Sequence, residues 1–138
     1  MNTRPVPLPD PETQPFWDAA AEGVLKVQQC QECESHVFYP RLVCPECLSE
    51  ALIWKPVSGR ARIYSLTVVH RAAPAFRDDL PFVVALVDLE EGPRMMTRIL
   101  TENPDEPRIG DAVEVEFFPQ DPGPPLPFFR VRSAAQTG

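Results

Sequence analysis

Two Cys-x2-Cys pairs, Cys30-x2-Cys33 and Cys44-x2-Cys47, stand ten residues apart and constrain this chain more than any other feature. Each pair can straddle a tight knuckle, and two facing knuckles bring four thiolates to the corners of a tetrahedron, the arrangement zinc takes at structural sites. Pro45 suits such a turn. Two disulfides or four free thiols are the plainer readings, and a reducing compartment disfavours the disulfides. The expectation is one zinc per chain held by Cys30, Cys33, Cys44 and Cys47, with iron in the same four-thiolate geometry as the rival metal. Four cysteine ligands close the coordination sphere, so the metal is expected to be structural and not to bind water or substrate. His36 lies between the pairs, and beside a complete thiolate set it reads as an ordinary surface or packed histidine.

The rest of the 138-residue chain divides around this staple. Residues 1–24 open with Pro5, Pro7, Pro9, Pro11 and Pro15, a density that favours an extended arm, followed by Phe16-Trp17-Asp18-Ala19-Ala20-Ala21 and Gly23, which reads as one short helix over residues 15–23. Phe16 and Trp17 are expected to be core anchors, with partner binding as the other reading. Residues 25–57 form a ribbon of short strands carrying the two knuckles. Residues 58–138 show strand segments at 60–72, 81–89, 94–101, 112–118 and 127–132, separated by turns at Glu91-Gly92-Pro93, Ile109-Gly110-Asp111 and Asp121-Pro122-Gly123. Five strands match an OB-type barrel. In the first of them, Arg62, Tyr64, Leu66, Val68 and His70 are expected on one face, and Ala61, Ile63, Ser65, Thr67 and Val69 on the other. The fold class is therefore mostly β, with a short N-terminal helix, a zinc ribbon and a five-stranded OB-type barrel.

Charge and composition narrow the function. With 13 basic against 20 acidic residues the net charge is −7, which opposes general attraction to nucleic acid. Lys26 and Lys55 are the only lysines, so the arginines would have to grip any phosphorylated small ligand. No apolar run is long enough for a bilayer, and the start, Met1-Asn2-Thr3-Arg4-Pro5, lacks a secretory core, so a cytoplasmic location is expected. Nucleophilic catalysis needs a nucleophile beside a base. The cysteines are committed to metal, His70 falls in a strand rich in β-branched residues, and the carboxylates of Asp78-Asp79, Asp88 to Glu91 and Glu102 to Glu106 lie in turns. No catalytic residue is assigned.

Several segments together resemble a known family: Phe16-Trp17, the cysteine pairs, Phe38-Tyr39-Pro40-Arg41 before Cys44, Ser58-Gly59-Arg60-Ala61 leading to Ile63-Tyr64-Ser65-Leu66, Pro81 to Arg94, and Ile109-Gly110-Asp111 with Val113-Glu114-Val115. The chain resembles the OB-fold, acyl-CoA-associated zinc-ribbon proteins over roughly residues 15–130. The resemblance implies a rubredoxin-like ribbon on an OB barrel, and a non-catalytic subunit of a thiolase-like aldolase or thiolase in a heterotetramer or similar hetero-oligomer. It implies acyl-CoA near the shared interface and retro-aldol cleavage in steroid side-chain degradation ahead of Claisen-type thiolysis. An OB module for single-stranded nucleic acid is the reading from another class, against which the acidic balance stands. The arm, Phe16, Trp17 and Phe128-Phe129 are the expected docking elements. The chain departs from the family at Glu34 and Leu48-Ser49, where relatives often carry glycine, which strains the knuckles but leaves the ligands intact.

Overall fold

A computed structural model describes residues 7–120 and 123–132 of the chain. The beginning of the arm, including Pro5, the Asp121-Pro122 part of the last turn and the final residues lie outside the described residues.

Helix α1 spans Gln14–Ala21. It is nucleated one turn earlier, where the Thr13 N–H donates to Asp10 Oδ1 at 2.9 Å and the Asp10 N–H to Thr13 Oγ1 at 3.2 Å, a reciprocal cap. It stops at Gly23, whose φ of 78° suits a residue without Cβ. There the Val24 N–H reaches Ala19 O and the Gly23 N–H reaches Ala20 O, both at 2.9 Å, satisfying the last carbonyls. The helix buries Phe16, Ala19 and Ala20, one face at i, i+3, i+4 spacing.

Strands β1 (Lys26–Cys30), β2 (His36–Val37) and β3 (Leu52–Pro56) form an antiparallel sheet in the order β2-β1-β3. Strands β4 (Arg60–Val69), β5 (Phe82–Leu89), β6 (Arg94–Leu100), β7 (Ala112–Phe118) and β8 (Leu126–Val131) close into a barrel of order β4-β5-β6-β8-β7. This is the five-stranded Greek-key barrel expected from the strand count. All but one of its pairings are antiparallel, the exception being β6 with β8, where Ile99 faces Phe129. Where β6 and β8 have not yet paired, the buried Thr97 hydroxyl donates to Pro127 O at 2.8 Å and satisfies that carbonyl.

The expected faces of the first barrel strand hold only for its beginning. Ala61 and Ile63 point inward, but the register with β5 shifts between Ile63 and Ser65, and beyond it Leu66 and Val68 pack on the core instead of Ser65 and Thr67. A bulge adds one residue and exchanges the two faces, which is why strict alternation misassigned them. The strand also ends at Val69, and a 3-10 turn over Pro74–Asp79 that the sequence reading did not anticipate carries the chain to β5.

The larger of two cores joins the helix and ribbon to the barrel, and a small second one holds Cys30, Val37 and Cys44. Phe16, Leu25 and Val27 from the helix and ribbon join Ile63, Val83, Val87, Ile99, Val113 and Phe129 from the barrel. Phe16 and Phe129 are thus interior side chains, so neither is available as a docking element.

Candidate metal centre

The two knuckles are built on one plan. The Glu34 N–H donates to Cys30 O at 3.0 Å and the Leu48 N–H to Cys44 O at 2.9 Å, while the Cys30 and Cys44 N–H groups donate to Ser35 O and Ser49 O at 2.9 and 2.8 Å. Each turn closes only if the residue after its second cysteine is left-handed. Glu34 has φ 65° and Leu48 φ 66°, the two non-glycine residues with positive φ among those described. The strain expected from the missing glycines is there.

These turns bring the four sulfurs together. Cys30 Sγ lies 3.5 Å from Cys47 Sγ and Cys33 Sγ lies 3.6 Å from Cys44 Sγ. All four lie within 4.8 Å of one another, Cys30 and Cys44 buried, Cys33 and Cys47 exposed. Sulfurs each about 2.3 Å from a tetrahedral zinc stand about 3.8 Å apart, so the cluster fits a single ion of that size. Backbone N–H groups of Glu32 and Glu46 point at Cys30 and Cys44 Sγ, each at 3.4 Å, and the Cys33 and Glu32 amides draw the Cys30 thiol down. The Ser35 side chain and amide draw Cys33 down to about 6. Cys47, although the Ser49 amide favours its thiolate, is pushed up to about 12 by Cys30, by burial and by the other two sulfurs. A cation among four sulfurs removes that conflict, and the donor set is positioned for metal binding.

Gln28 holds the second knuckle in place, a contact with no motif to announce it. Its buried side chain donates from Nε2 to Arg41 O at 2.8 Å and accepts the Arg41 N–H at 2.7 Å, pairing with the loop as a neighbouring strand would. Tyr39, half-exposed between the pairs, accepts the Met96 N–H at 3.1 Å and so ties the ribbon to the edge of β6. Beside that tie, Trp17, Tyr39, Met96, Pro127 and Phe128 line an open apolar cavity of about 310 Å³. Of the aromatic residues expected to dock a partner, Trp17 and Phe128 are therefore placed partly at the surface.

Several of the carboxylates pair with arginines on the barrel surface. Asp88 pairs with Arg94 at 2.6 Å, Glu90 with Arg60 at 2.7 Å and Glu116 with Arg130 at 2.9 Å. The Arg130 hydrogen bond keeps Glu116 below the usual carboxylate range, and Arg60 does the same for Glu90. Asp79 and Arg98 form a pair at 3.3 Å with both side chains largely buried, and the Arg98 guanidinium lies 3.9 Å from the Phe82 ring centre. That pair pins the 3-10 turn to β6. His70 is exposed just past β4, and His36 is half-buried on β2.

Comparison with known proteins gives concordant results. The family model for the rubredoxin-like zinc ribbon domain of ChsH2 matches residues 17–52, and that for the C-terminal OB-fold domain of ChsH2 matches residues 54–118. A DUF35 domain-containing scaffold protein of Methanothermobacter thermautotrophicus is 41% identical over 95 residues, 67% of this chain and 71% of that protein. A probable enoyl-CoA hydratase alpha subunit of Thermomonospora curvata is 37% identical over 117 residues, 83% of this chain but 36% of that protein. Among solved structures, a chain of the Ltp2-ChsH2(DUF35) aldolase superposes with a TM-score of 0.81 at 33% identity, covering 91% of this chain and 98% of that chain. No helix among the described residues is long and apolar enough to cross a membrane.

Proposed function

We propose, on the premise that the chain belongs to the ChsH2 family of zinc-ribbon and OB-fold proteins, that it is a non-catalytic subunit supporting a thiolase-superfamily enzyme that acts on acyl-CoA thioesters. The observation that carries this reading is the superposition on a chain of the Ltp2-ChsH2(DUF35) aldolase over 98% of that chain's length. The partner's reaction is read as retro-aldol cleavage of a steroid side-chain thioester, within a hetero-oligomer.

In this reading Cys30, Cys33, Cys44 and Cys47 hold one zinc ion, which closes the ribbon and supplies folding energy, with all four positions taken by sulfur. The units are an arm and helix over 1–24, a ribbon over 25–57 and a barrel over 58–138. The chain's own residues then have a mechanical task. Gln28 and Tyr39 fix the ribbon on the barrel, the Asp79–Arg98 pair fixes the turn before β5, and the partner meets a rigid surface.

Affinity purification of the tagged chain from its source cells tests the proposal. The expected result is stoichiometric recovery of a thiolase-superfamily chain, identified by mass spectrometry. Recovery of the chain alone, or robust acyl-CoA turnover by the isolated chain, contradicts it.

A further inference from the structure

The second knuckle ends in a residue that serves folding badly. Leu48 is held at φ 66°, where its Cβ crowds the backbone and glycine would be at ease. It is also 75% exposed, so packing within the chain does not offset the strain. Leu42, 69% exposed, and Val43 lead into the same knuckle, and the Leu48 N–H to Cys44 O bond holds Leu48 beside the segment carrying Val43. The tip is therefore apolar, and its surroundings are acidic. Glu32, Glu34, Glu46 and Glu50 are all exposed on the two facing knuckles, and Arg41 is the one basic residue between positions 31 and 51.

We infer that the knuckle tip of Leu42, Val43 and Leu48 is the docking surface for the catalytic subunit, which meets it with an apolar pocket rimmed by lysine and arginine. The inference rests on the subunit reading above and adds to it the surface and the chemistry of the partner. Charge complementarity selects this occupant. A second copy would bring the same glutamates and a further net charge of −7, and nucleic acid or an anionic membrane would be repelled. Apolar anchors within a charged rim supply affinity at the centre and steering at the edge, and a strained residue that faces solvent in the free chain is accounted for once a pocket takes its side chain.

Leu48→Gly separates this role from any role in folding, because it removes the side chain and the backbone strain together. Leu48→Asn, which also tolerates the left-handed conformation, serves as a second probe. The assay is titration of the purified thiolase-superfamily partner with each variant, alongside metal content and melting temperature. The expected result is unchanged metal content, a melting temperature at or above that of the parent, and a Kd raised about tenfold or more, as loss of one buried leucine side chain predicts. Glu46→Lys is expected to slow association and flatten its salt dependence. If both Leu48 variants and Leu42→Ser bind within twofold of the parent, the surface is wrong while the subunit reading stands. If the parent chain binds no thiolase-superfamily protein, both fall. If the variants instead abolish self-association of this chain, the occupant is a second copy and the inference is overturned.

Discussion

Gly59 sits between the end of the ribbon sheet at Pro56 and the start of the barrel at Arg60, and its replacement by alanine has a cost that the surroundings fix. Its φ of 81° disfavours any L side chain, by about 1 kcal/mol. A Cβ there would lie 2.5 Å from Val115 Cγ1. Val115 cannot yield easily, because it is β-branched and its N–H donates to Gly59 O at 2.8 Å. Overpacking of this kind adds about 1–3 kcal/mol, and the stiffer unfolded chain returns about 0.5 kcal/mol. Gly59→Ala is therefore expected to destabilise by about 2–3 kcal/mol. Urea unfolding of metal-loaded protein measures it, and the double variant with Val115→Ala isolates the clash. In that background alanine at position 59 should cost only about 0.5 kcal/mol, the conformational strain less what the stiffer unfolded chain returns. An equal cost in both backgrounds would show that Val115 is not the obstacle and refute the reasoning.

Other consequences are as definite. Gln28→Ala, which strips two hydrogen bonds from the Arg41 backbone, should cost about 1–3 kcal/mol in denaturant unfolding and speed metal loss to a chelator. Glu34→Gly should raise stability by about 0.5 kcal/mol, the strain relieved less the entropy given to the unfolded chain, and an unchanged melting temperature would show the turn to be unstrained. Arg98→Ala should cost about 2 kcal/mol and Asp79→Asn about half that, because Arg98 loses its contact with Phe82 as well as its ion pair, and equal costs would discount that contact. Chelation or acidification should release one metal ion per chain and unfold the ribbon, since the sulfurs bind metal as thiolates, and release without loss of structure would show the ion to be dispensable.

Much of this molecule was legible because its strongest signals are local. Cysteine spacing placed the four sulfurs, and the five barrel segments followed from runs of β-branched residues between turn signals. The family resemblance, not a local signal, marked Glu34 and Leu48 as places where relatives often carry glycine, and both take the left-handed conformation that a knuckle needs. What stayed hidden depends on residues distant in sequence. The bulge after Ile63 is set by pairing with β5, so nothing within Arg60–Val69 reveals that Leu66 and not Ser65 turns inward. Gln28 carries no motif, and only the fold brings Arg41 opposite it, while Phe129, expected as a docking aromatic, is enclosed where β8 pairs with β6.

One reconstitution tests the supporting role of this chain most directly. The proposed thiolase-superfamily partner is purified alone and together with this chain, and cleavage of a steroid side-chain acyl-CoA thioester is followed by mass spectrometry under identical conditions. The prediction is product only when both chains are present, and none from this chain by itself. Equal activity of the partner without it, or cleavage by this chain alone, would contradict the reading of a supporting, non-catalytic subunit.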